Sequence, residues 1–304
     1  MRYIKRHKIL SVVLVIFTIY VYTNFTRIIE VNPHIDKTST AYINDIYMSD
    51  ERIYNNYLTE TQKLAYEDLK DMFKKREIKR KLDLNKYNKV PSEIASDILT
   101  ATEAIMLDHP EMLQLSIAGY HYNNSMIEAR VEFAINNPVM EAINTLKIRR
   151  IIDDIRKETE DMNCLDKIKY VYEWIGENAV YDHLFTYTSK NQSIYNVFIK
   201  GNAVCAGFAK ASQVIFQNIG IESMTVSGQT SGPHMWNIIK YNDKYYFYDS
   251  TYAASINDKT NPRFYDGLIQ EELNIHIPDY KEWYPTIETT TGIYLKEEKQ
   301  EQSN

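Results

Sequence analysis

Cysteine, histidine and aspartate side chains occur in an order and spacing that suit thiol chemistry within residues 201–252. Cys205 lies in G-N-A-V-C-A-G-F-A-K-A at the start of an apolar segment, His234 lies in G-P-H-M-W-N, and Asp249 ends K-Y-Y-F-Y-D. In cysteine-dependent acyl transfer a thiolate attacks a carbonyl carbon, an imidazole takes and returns the proton, and a carboxylate orients the imidazole. We therefore predict one catalytic site that combines these three side chains.

The thiol lies at the start of a predicted helix, residues 203–219. Unpaired backbone N–H groups and the helix dipole favour a thiolate in the first turn. The small side chains of Ala206 and Gly207 leave room for a substrate, and Gly207 lets another backbone pack closely. The backbone N–H of Cys205 is one predicted oxyanion donor, and we predict the Tyr195 side chain as the second.

A predicted hairpin brings the histidine and the aspartate together. Strands are expected at 222–226, 235–241 and 244–249. If residues 242–243 form a two-residue turn, Trp236 lies opposite Asp249, and His234 points to the same face. The two side chains are then diagonal neighbours with about 7 to 8 Å between backbones, within reach of a hydrogen bond. The same face carries apolar neighbours, namely Ile238, Tyr245 and Phe247.

The three motifs resemble those of the transglutaminase-like superfamily, whose bacterial members carry a G-x-A-V-C-x-G-Y/F-A segment, an H-x-W-N strand and a D-x-T-W/Y strand end. The preceding Y-V-Y-E-W-I-G-E-N-A-V-Y-D is similar to the lead-in helix of that family. The resemblance implies a triad of Cys205, His234 and Asp249, with Trp236 and Asn237 supporting the histidine strand. It also implies an α+β fold with a papain-like core, in which the helix carrying the cysteine packs on an antiparallel sheet.

The resemblance leaves several functions open, because the superfamily includes cross-linking enzymes, peptidases, amide hydrolases and inactive domains. We expect a cysteine acyltransferase, protease or amidase that acts on a protein or peptide substrate, with the cell surface or cell wall as the candidate source. The alternative is a catalytically silent module that binds a protein or wall peptide in the same groove. No cofactor is expected, and no metal, because neither H-E-x-x-H nor C-x-x-C occurs.

The first 25 residues differ in charge from the remainder. They contribute +4 to the net charge of −6, so the rest of the chain carries −10, which argues against nucleic acid as a partner. Residues 9–25 are uncharged, near the short end of the roughly 17 to 25 residues that span a membrane. We predict an uncleaved single-pass anchor with the catalytic domain outside the cell. The alternative is secretion after signal cleavage, although a small-x-small cleavage pattern is missing.

These signals divide the chain into five predicted regions. They are a basic head and membrane anchor at 1–25, a stalk at 26–49, a helical and β leader region at 50–150, the catalytic domain at 151–290 and a polar tail at 291–304. In the leader region a helix is expected from about residue 49, followed by a basic run at 74–81 that forms a solvated face or an edge strand. Cys164, on a predicted helix at 164–178, is interpreted as a buried residue without a catalytic role.

Overall fold

The computed structural model describes residues 49–287 except 88, 113–114, 124–125, 134, 136, 184–190 and 269–275. The predicted anchor, nearly all of the predicted stalk and the predicted tail lie outside the described residues. Within the described part of the chain, no helix is both long enough and apolar enough to cross a bilayer. The described residues all belong to one compact unit, residues 43–304.

Helices and strands alternate in a mixed fold. The helices are α1 Arg52–Asn56, α2 Glu60–Lys74, α3 Pro91–Asp108, α4 Pro138–Glu158, α5 Cys164–Asn178, α6 Cys205–Asn218 and α7 Thr251–Ile256. The strands are β1 Lys79–Lys81, β2 Leu115–Asn123, β3 Met126–Phe133, β4 Val180–Tyr181, β5 Asn202–Ala203, β6 Ser223–Gln229, β7 Pro233–Tyr241, β8 Lys244–Tyr248 and β9 Ile277–Pro278. The mixture of helix and sheet agrees with the predicted α+β class.

The leader region begins with two helices where the sequence predicts one. Thr59 separates the two helices, because it is the N-cap residue of α2. Its hydroxyl accepts from the Gln62 backbone N–H, while the Gln62 side chain accepts from the Thr59 N–H. Such a capping box fixes a helix start. The basic run then forms the edge strand β1, which pairs with β3 in a sheet of order β1-β3-β2.

Two other local predictions are wrong. The alternating apolar residues 113, 115 and 117 predict one strand and residues 126–135 a second, joined through Gly119 and residues 123–124. Gly119 instead lies inside β2 opposite Arg130, so the first strand is longer than predicted. Cys164 is exposed rather than buried, because it is the first residue of α5. The buried face of that helix is formed by other residues, namely Ile168, Val171, Tyr172, Ile175 and Gly176.

The second sheet has the order β8-β7-β6-β9 and is antiparallel throughout. The predicted register of its hairpin is confirmed, since Tyr241 pairs with Lys244. The turn residues Asn242 and Asp243 have φ of 48° and 60°, the left-handed conformation that a two-residue type I′ turn requires. Pairing ends at Tyr248, so the next residue, the predicted catalytic aspartate, leaves the sheet at a fixed position.

Helix α6 packs against this sheet and is joined to β7 by a buried side-chain bond. Asn237 is fully buried, and its Nδ2 donates to the carbonyl oxygen of Ala209, 2.9 Å away. Ala209 lies one turn after Cys205, while Asn237 lies three residues after His234. The bond therefore fixes the cysteine helix relative to the histidine strand.

Replacing Asn237 by alanine tests this connection. We expect Asn237→Ala to lower the free energy of unfolding by about 1–3 kcal/mol, because the Ala209 carbonyl oxygen loses its donor inside the core. The exposed Asn202→Ala provides the matched control and should stay within about 0.5 kcal/mol of the wild type. Denaturant unfolding measures both variants. Equal unfolding free energies for the two variants would show that the bond contributes nothing to stability.

Candidate active site

Cys205 is the first residue of α6, after the N-cap residue Val204. The neighbouring Gly207 allows a close approach, as predicted. A Cβ atom at this position would lie 2.8 Å from the Cβ of Ala203 and 3.3 Å from the carbonyl oxygens of Asn191 and Ser193. Residues 191–193 therefore pack directly against the first turn of the helix. The first backbone N–H groups of a helix have no carbonyl partner in a preceding turn. The N–H of Cys205 is one of these groups, so it is available to a ligand.

His234 and Asp249 make the predicted hydrogen bond. The distance from His234 Nε2 to Asp249 Oδ2 is 2.7 Å, and the aspartate side chain is only 1% exposed. The other carboxylate oxygen, Oδ1, accepts the backbone N–H of Thr251 at 3.0 Å. Since Nε2 is taken by the aspartate, Nδ1 is the ring nitrogen that remains for the hydrogen bond with Cys205. The imidazole therefore lies between the carboxylate, to which it is hydrogen-bonded, and the thiol, with which it interacts.

This arrangement shifts the proton affinities of both partners. Burial acts to lower the pKa of His234, but hydrogen bonds with Asp249 and Cys205 outweigh it and raise the pKa to about 10. Burial acts in the opposite sense on Asp249. Hydrogen bonds from His234 and His276 nevertheless hold the pKa of that carboxyl well below its usual range. At neutral pH the site therefore contains an imidazolium and a carboxylate.

Trp236 and Asn237, both named by the sequence, support the histidine in different ways. The indole of Trp236 is fully buried and stacks on the His234 ring, with ring centroids 6.0 Å apart and an interplanar angle of 19°. Phe247 contacts the indole edge-on from the neighbouring strand. The indole restricts the imidazole plane, while the Asn237 bond restricts the strand, so the ring has little freedom to turn away from the thiol.

Cys205 and His234 line a cleft of about 680 Å³. The walls come from α3 of the leader region, from stretches between residues 181 and 235, and from Asp279 near the end of the described chain. The lining residues besides these two are Glu103, Tyr181, Asn191, Gln192, Val204, Ala206, Ser227, Gly228, Gln229, Thr230, Ser231, Gly232, Pro233, Met235 and Asp279. Residues 229–232 form the polar rim of the cleft. They are the last residue of β6 and the turn that leads to β7.

Tyr195 does not line this cleft, contrary to the prediction. It precedes a π-helical turn, Asn196–Lys200, and packs against the main core, with the Lys200 ammonium 5.6 Å from its ring centroid. Two cleft residues shortly upstream of Cys205 carry side-chain donors, Asn191 and Gln192, and the Asn191 amide donates to Asp182 Oδ2 at 3.0 Å. The residues on either side of Gln192, Asn191 and Ser193, pack against the first turn of α6 because Gly207 has no side chain. That glycine is the sequence signal that could have directed attention to residues 191–193.

Several functional-site residues were not found from the sequence. Glu103 and Asp279 contribute carboxylates to the cleft, and His276 contacts Asp249. Lys210 lies on α6 with only 3% exposure, and burial lowers the pKa of its ammonium to about 8 against the opposing charges of Glu103, Cys205 and Glu111. The sequence did contain an indication for Lys210. A lysine in a helix of otherwise small and apolar residues is rarely buried without a charged partner, so such a lysine points to a carboxylate nearby.

One group of described residues has the spacing of metal-binding side chains. The ligating atoms of His234, Asp249 and His276 all lie within 4.8 Å of one another. Both imidazole Nε2 atoms, however, lie at hydrogen-bonding distance from the same carboxylate oxygen. Donors and acceptor are therefore paired with each other, and the geometry is that of a hydrogen-bond network.

One family model matches the part of the chain that carries the three motifs. Residues 149–250 match the model of the transglutaminase-like superfamily. No curated protein sequence matches the chain. Among solved structures, a TGase shows 16% identity over 44% of this chain and 43% of its own, with a TM-score of 0.34.

Two further solved structures show similarity of the same order. A putative cysteine protease from Cytophaga hutchinsonii has 14% identity, covers 46% of this chain and 63% of its own, and gives a TM-score of 0.31. The periplasmic domain of TgpA from Pseudomonas aeruginosa, bound to ethylmercury, has 14% identity over 43% of this chain and 56% of its own, with a TM-score of 0.29. This chain thus spans less than two thirds of each of these structures. Its residues 149–250, which include Cys205, His234 and Asp249, are a domain of the transglutaminase-like superfamily.

Proposed function

We propose that this protein is a cysteine-dependent enzyme that opens an amide bond through an acyl-enzyme intermediate. Cys205 is the nucleophile, His234 the general acid and base, and Asp249 the residue that orients and charges the imidazole. The observation that supports these roles best is the 2.7 Å hydrogen bond between the His234 imidazole and the buried Asp249 carboxylate, at an imidazole that also interacts with the Cys205 side chain. A catalytically silent module has no need for this arrangement, because a binding groove does not require an imidazolium beside a thiol.

The reaction proceeds in two halves. The Cys205 thiolate attacks the amide carbon, and the oxyanion is bound by the Cys205 backbone N–H and the Gln192 side chain. His234 gives its proton to the leaving nitrogen as the C–N bond breaks and the thioester forms. An acceptor then gives a proton to His234 and attacks the thioester, and the C–S bond breaks to release the Cys205 thiolate.

Water is the first candidate for the acceptor. The cleft rim is formed by polar side chains, among them Gln229, Thr230 and Ser231, which admit solvent to the thioester. The second candidate is a primary amine. The carboxylates of Glu103 and Asp279 line the same cleft, and Asp279 offers a negative partner to a cationic amine, since Glu103 already lies near the buried ammonium of Lys210.

The substrate and location follow from the rest of the sequence. We propose that residues 1–25 anchor the protein in the membrane and that the catalytic domain works on the outer side, on a protein or peptide of the cell surface or wall. The charge of −10 outside residues 1–25 favours substrates with exposed basic groups. The cleft of about 680 Å³ suits a side chain or a short peptide segment better than a folded surface.

Alkylation of the thiols tests whether Cys205 is activated. We expect iodoacetamide at pH 6 to modify Cys205 at least about tenfold faster than Cys164, which is exposed at another helix start and serves as an internal reference. Mass spectrometry of the two cysteine peptides measures both rates in one sample. His234→Ala should remove the difference. If Cys205 keeps its rate without His234, the thiol and imidazole do not act together and the proposed enzyme has to be abandoned.

The pH dependence of the same reaction tests the role of Asp249. Hydrogen bonds with Asp249 and Cys205 raise the pKa of His234 to about 10, so the imidazolium persists up to that pH. We expect the alkylation rate of Cys205 to rise near pH 10, because a thiolate that loses its cationic partner is a stronger nucleophile. Asp249→Asn should move this rise toward the ordinary histidine value of about 6.5. An unchanged rise in Asp249→Asn would contradict a charge-stabilising role for the carboxylate.

The acceptor is tested with the full chain in detergent, a glutamine-rich protein and a fluorescent primary amine. Covalent labelling of the protein that depends on Cys205 identifies transfer to amines. Ammonia release or chain cleavage without label identifies hydrolysis, which the polar rim leads us to expect. Cys205→Ala is the inactive control, and Cys164→Ala is the matched variant that should react like the wild type. If the wild type and Cys205→Ala give the same result, a binding module is the better description.

A further inference from the structure

We propose that His276 is a positioning residue of this site, which acts on His234 through the carboxylate that the two histidines share. The inference rests on the proposed function of Cys205, His234 and Asp249. His276 lies outside residues 149–250, the part of the chain that matches the family.

The contact is made on the atom that binds the catalytic histidine. His276 Nε2 lies 3.2 Å from Asp249 Oδ2, the oxygen that is 2.7 Å from His234 Nε2. The side chains of His276 and Asp249 are each only 1% exposed. Because Asp249 is ionised, His276 Nε2 carries a hydrogen and donates it. Oδ2 thus accepts two hydrogen bonds, while Oδ1 accepts from the Thr251 N–H.

Aromatic rings hold the His276 imidazole in this orientation. It makes edge-to-face contacts with Trp236, at a centroid distance of 4.7 Å, and with His234, at 5.5 Å. Phe247 packs against it at 5.9 Å. The other ring nitrogen, Nδ1, is buried and has no hydrogen-bond partner among the described residues. The polar function of the side chain is therefore concentrated on Nε2 and the carboxylate.

The backbone after His276 is fixed at the cleft rim. Strand β9 pairs with β6 at Gly228 and Gln229, and the Asp279 N–H donates to the Ser227 carbonyl oxygen at 3.1 Å. A Cβ atom on Gly228 would lie only 2.2 Å from the carbonyl oxygen of Ile277, so this approach requires glycine. The imidazole therefore belongs to a built arrangement rather than to a loose end of the chain.

The same segment continues from the rim into the leader region. Trp283 is buried in the core of that region and stacks on Tyr280, with ring centroids 3.9 Å apart. The main-chain oxygen of Trp283 also accepts a hydrogen bond from the Arg52 side chain. The segment that follows His276 is thus held at two places, the cleft rim and the leader core.

A second donor on Oδ2 changes what the carboxylate does to His234. It keeps the aspartate ionised and in one rotamer, and it disperses the negative charge that holds the proton on His234. The titratable groups around this carboxylate are His234 on β7, His276, and the hydroxyls of Tyr172 on α5 and Tyr248 on β8. Among the residues that the structure describes, only the two histidines donate to Oδ2. Without His276, the negative charge of that oxygen therefore acts on His234 alone.

Two amide variants that differ in reach provide the test in the full-length protein. The amide nitrogen of glutamine can occupy the position of Nε2, whereas that of asparagine stops near the position of Nδ1. We expect His276→Asn to move the pH at which Cys205 alkylation rises upward by about one unit and to slow amide turnover about tenfold, because Oδ2 loses one donor. His276→Gln should restore most of the wild-type behaviour. Denaturant unfolding of both variants separates a folding defect from this shift.

The outcomes distinguish this inference from the proposed function on which it rests. If His234→Ala changes Cys205 alkylation while His276→Asn and His276→Gln both follow the wild-type pH curve, the role of His276 is overturned and the proposed enzyme stands. A loss of unfolding free energy with no change in the pH curve also overturns it, since that is the behaviour of a purely structural side chain. If alkylation is insensitive to His234 as well, both proposals fall.

Discussion

The buried charge of Asp249 is the constraint on which the site depends. An ionised carboxylate without water is strongly destabilising unless its oxygens are hydrogen-bonded or paired with a cation. Asp249 meets this requirement with three donors, from His234, His276 and the Thr251 backbone. These donors come from a strand, from a distant C-terminal segment and from the start of α7. The carboxylate is therefore the point at which three separate parts of the chain meet.

The leader region takes part in this assembly and does more than precede the matched domain. Glu103 of α3 forms part of the cleft wall, and Trp283, downstream of the cleft rim, is buried in the leader core. Lys210, one to two turns along α6 from Cys205, is buried near Glu103 and Glu111 of the leader. The cleft is consequently shaped by side chains on both sides of residues 149–250. Substrate specificity in this protein therefore depends on segments that the family match does not include.

Local rules predicted the centre of the site, and long-range contacts produced the rest. Two-residue turn geometry fixes the parity of the hairpin, and with it the approach of His234 to Asp249. Small residues after a strand fix the start of the cysteine helix. Tyr195 is not among the residues that line the cleft, and it precedes a π-helical turn, which no periodicity indicates. His276 could not be found, since it lies 27 residues beyond its partner, Asp249, without a pattern of its own.

The two histidines on one carboxylate oxygen reconcile opposing demands of the proposed chemistry. The resting site needs Asp249 to hold a proton on His234, so that the imidazolium can stabilise the Cys205 thiolate. Acylation needs that proton to leave for the departing nitrogen, which a carboxylate that binds the imidazolium too tightly would oppose. A second donor weakens the hold without removing the charge. His276 belongs to a segment that also pairs with the backbone at the cleft rim. In the proposed enzyme, the acid strength of the His234 imidazolium and the shape of the substrate site therefore depend on the same stretch of backbone.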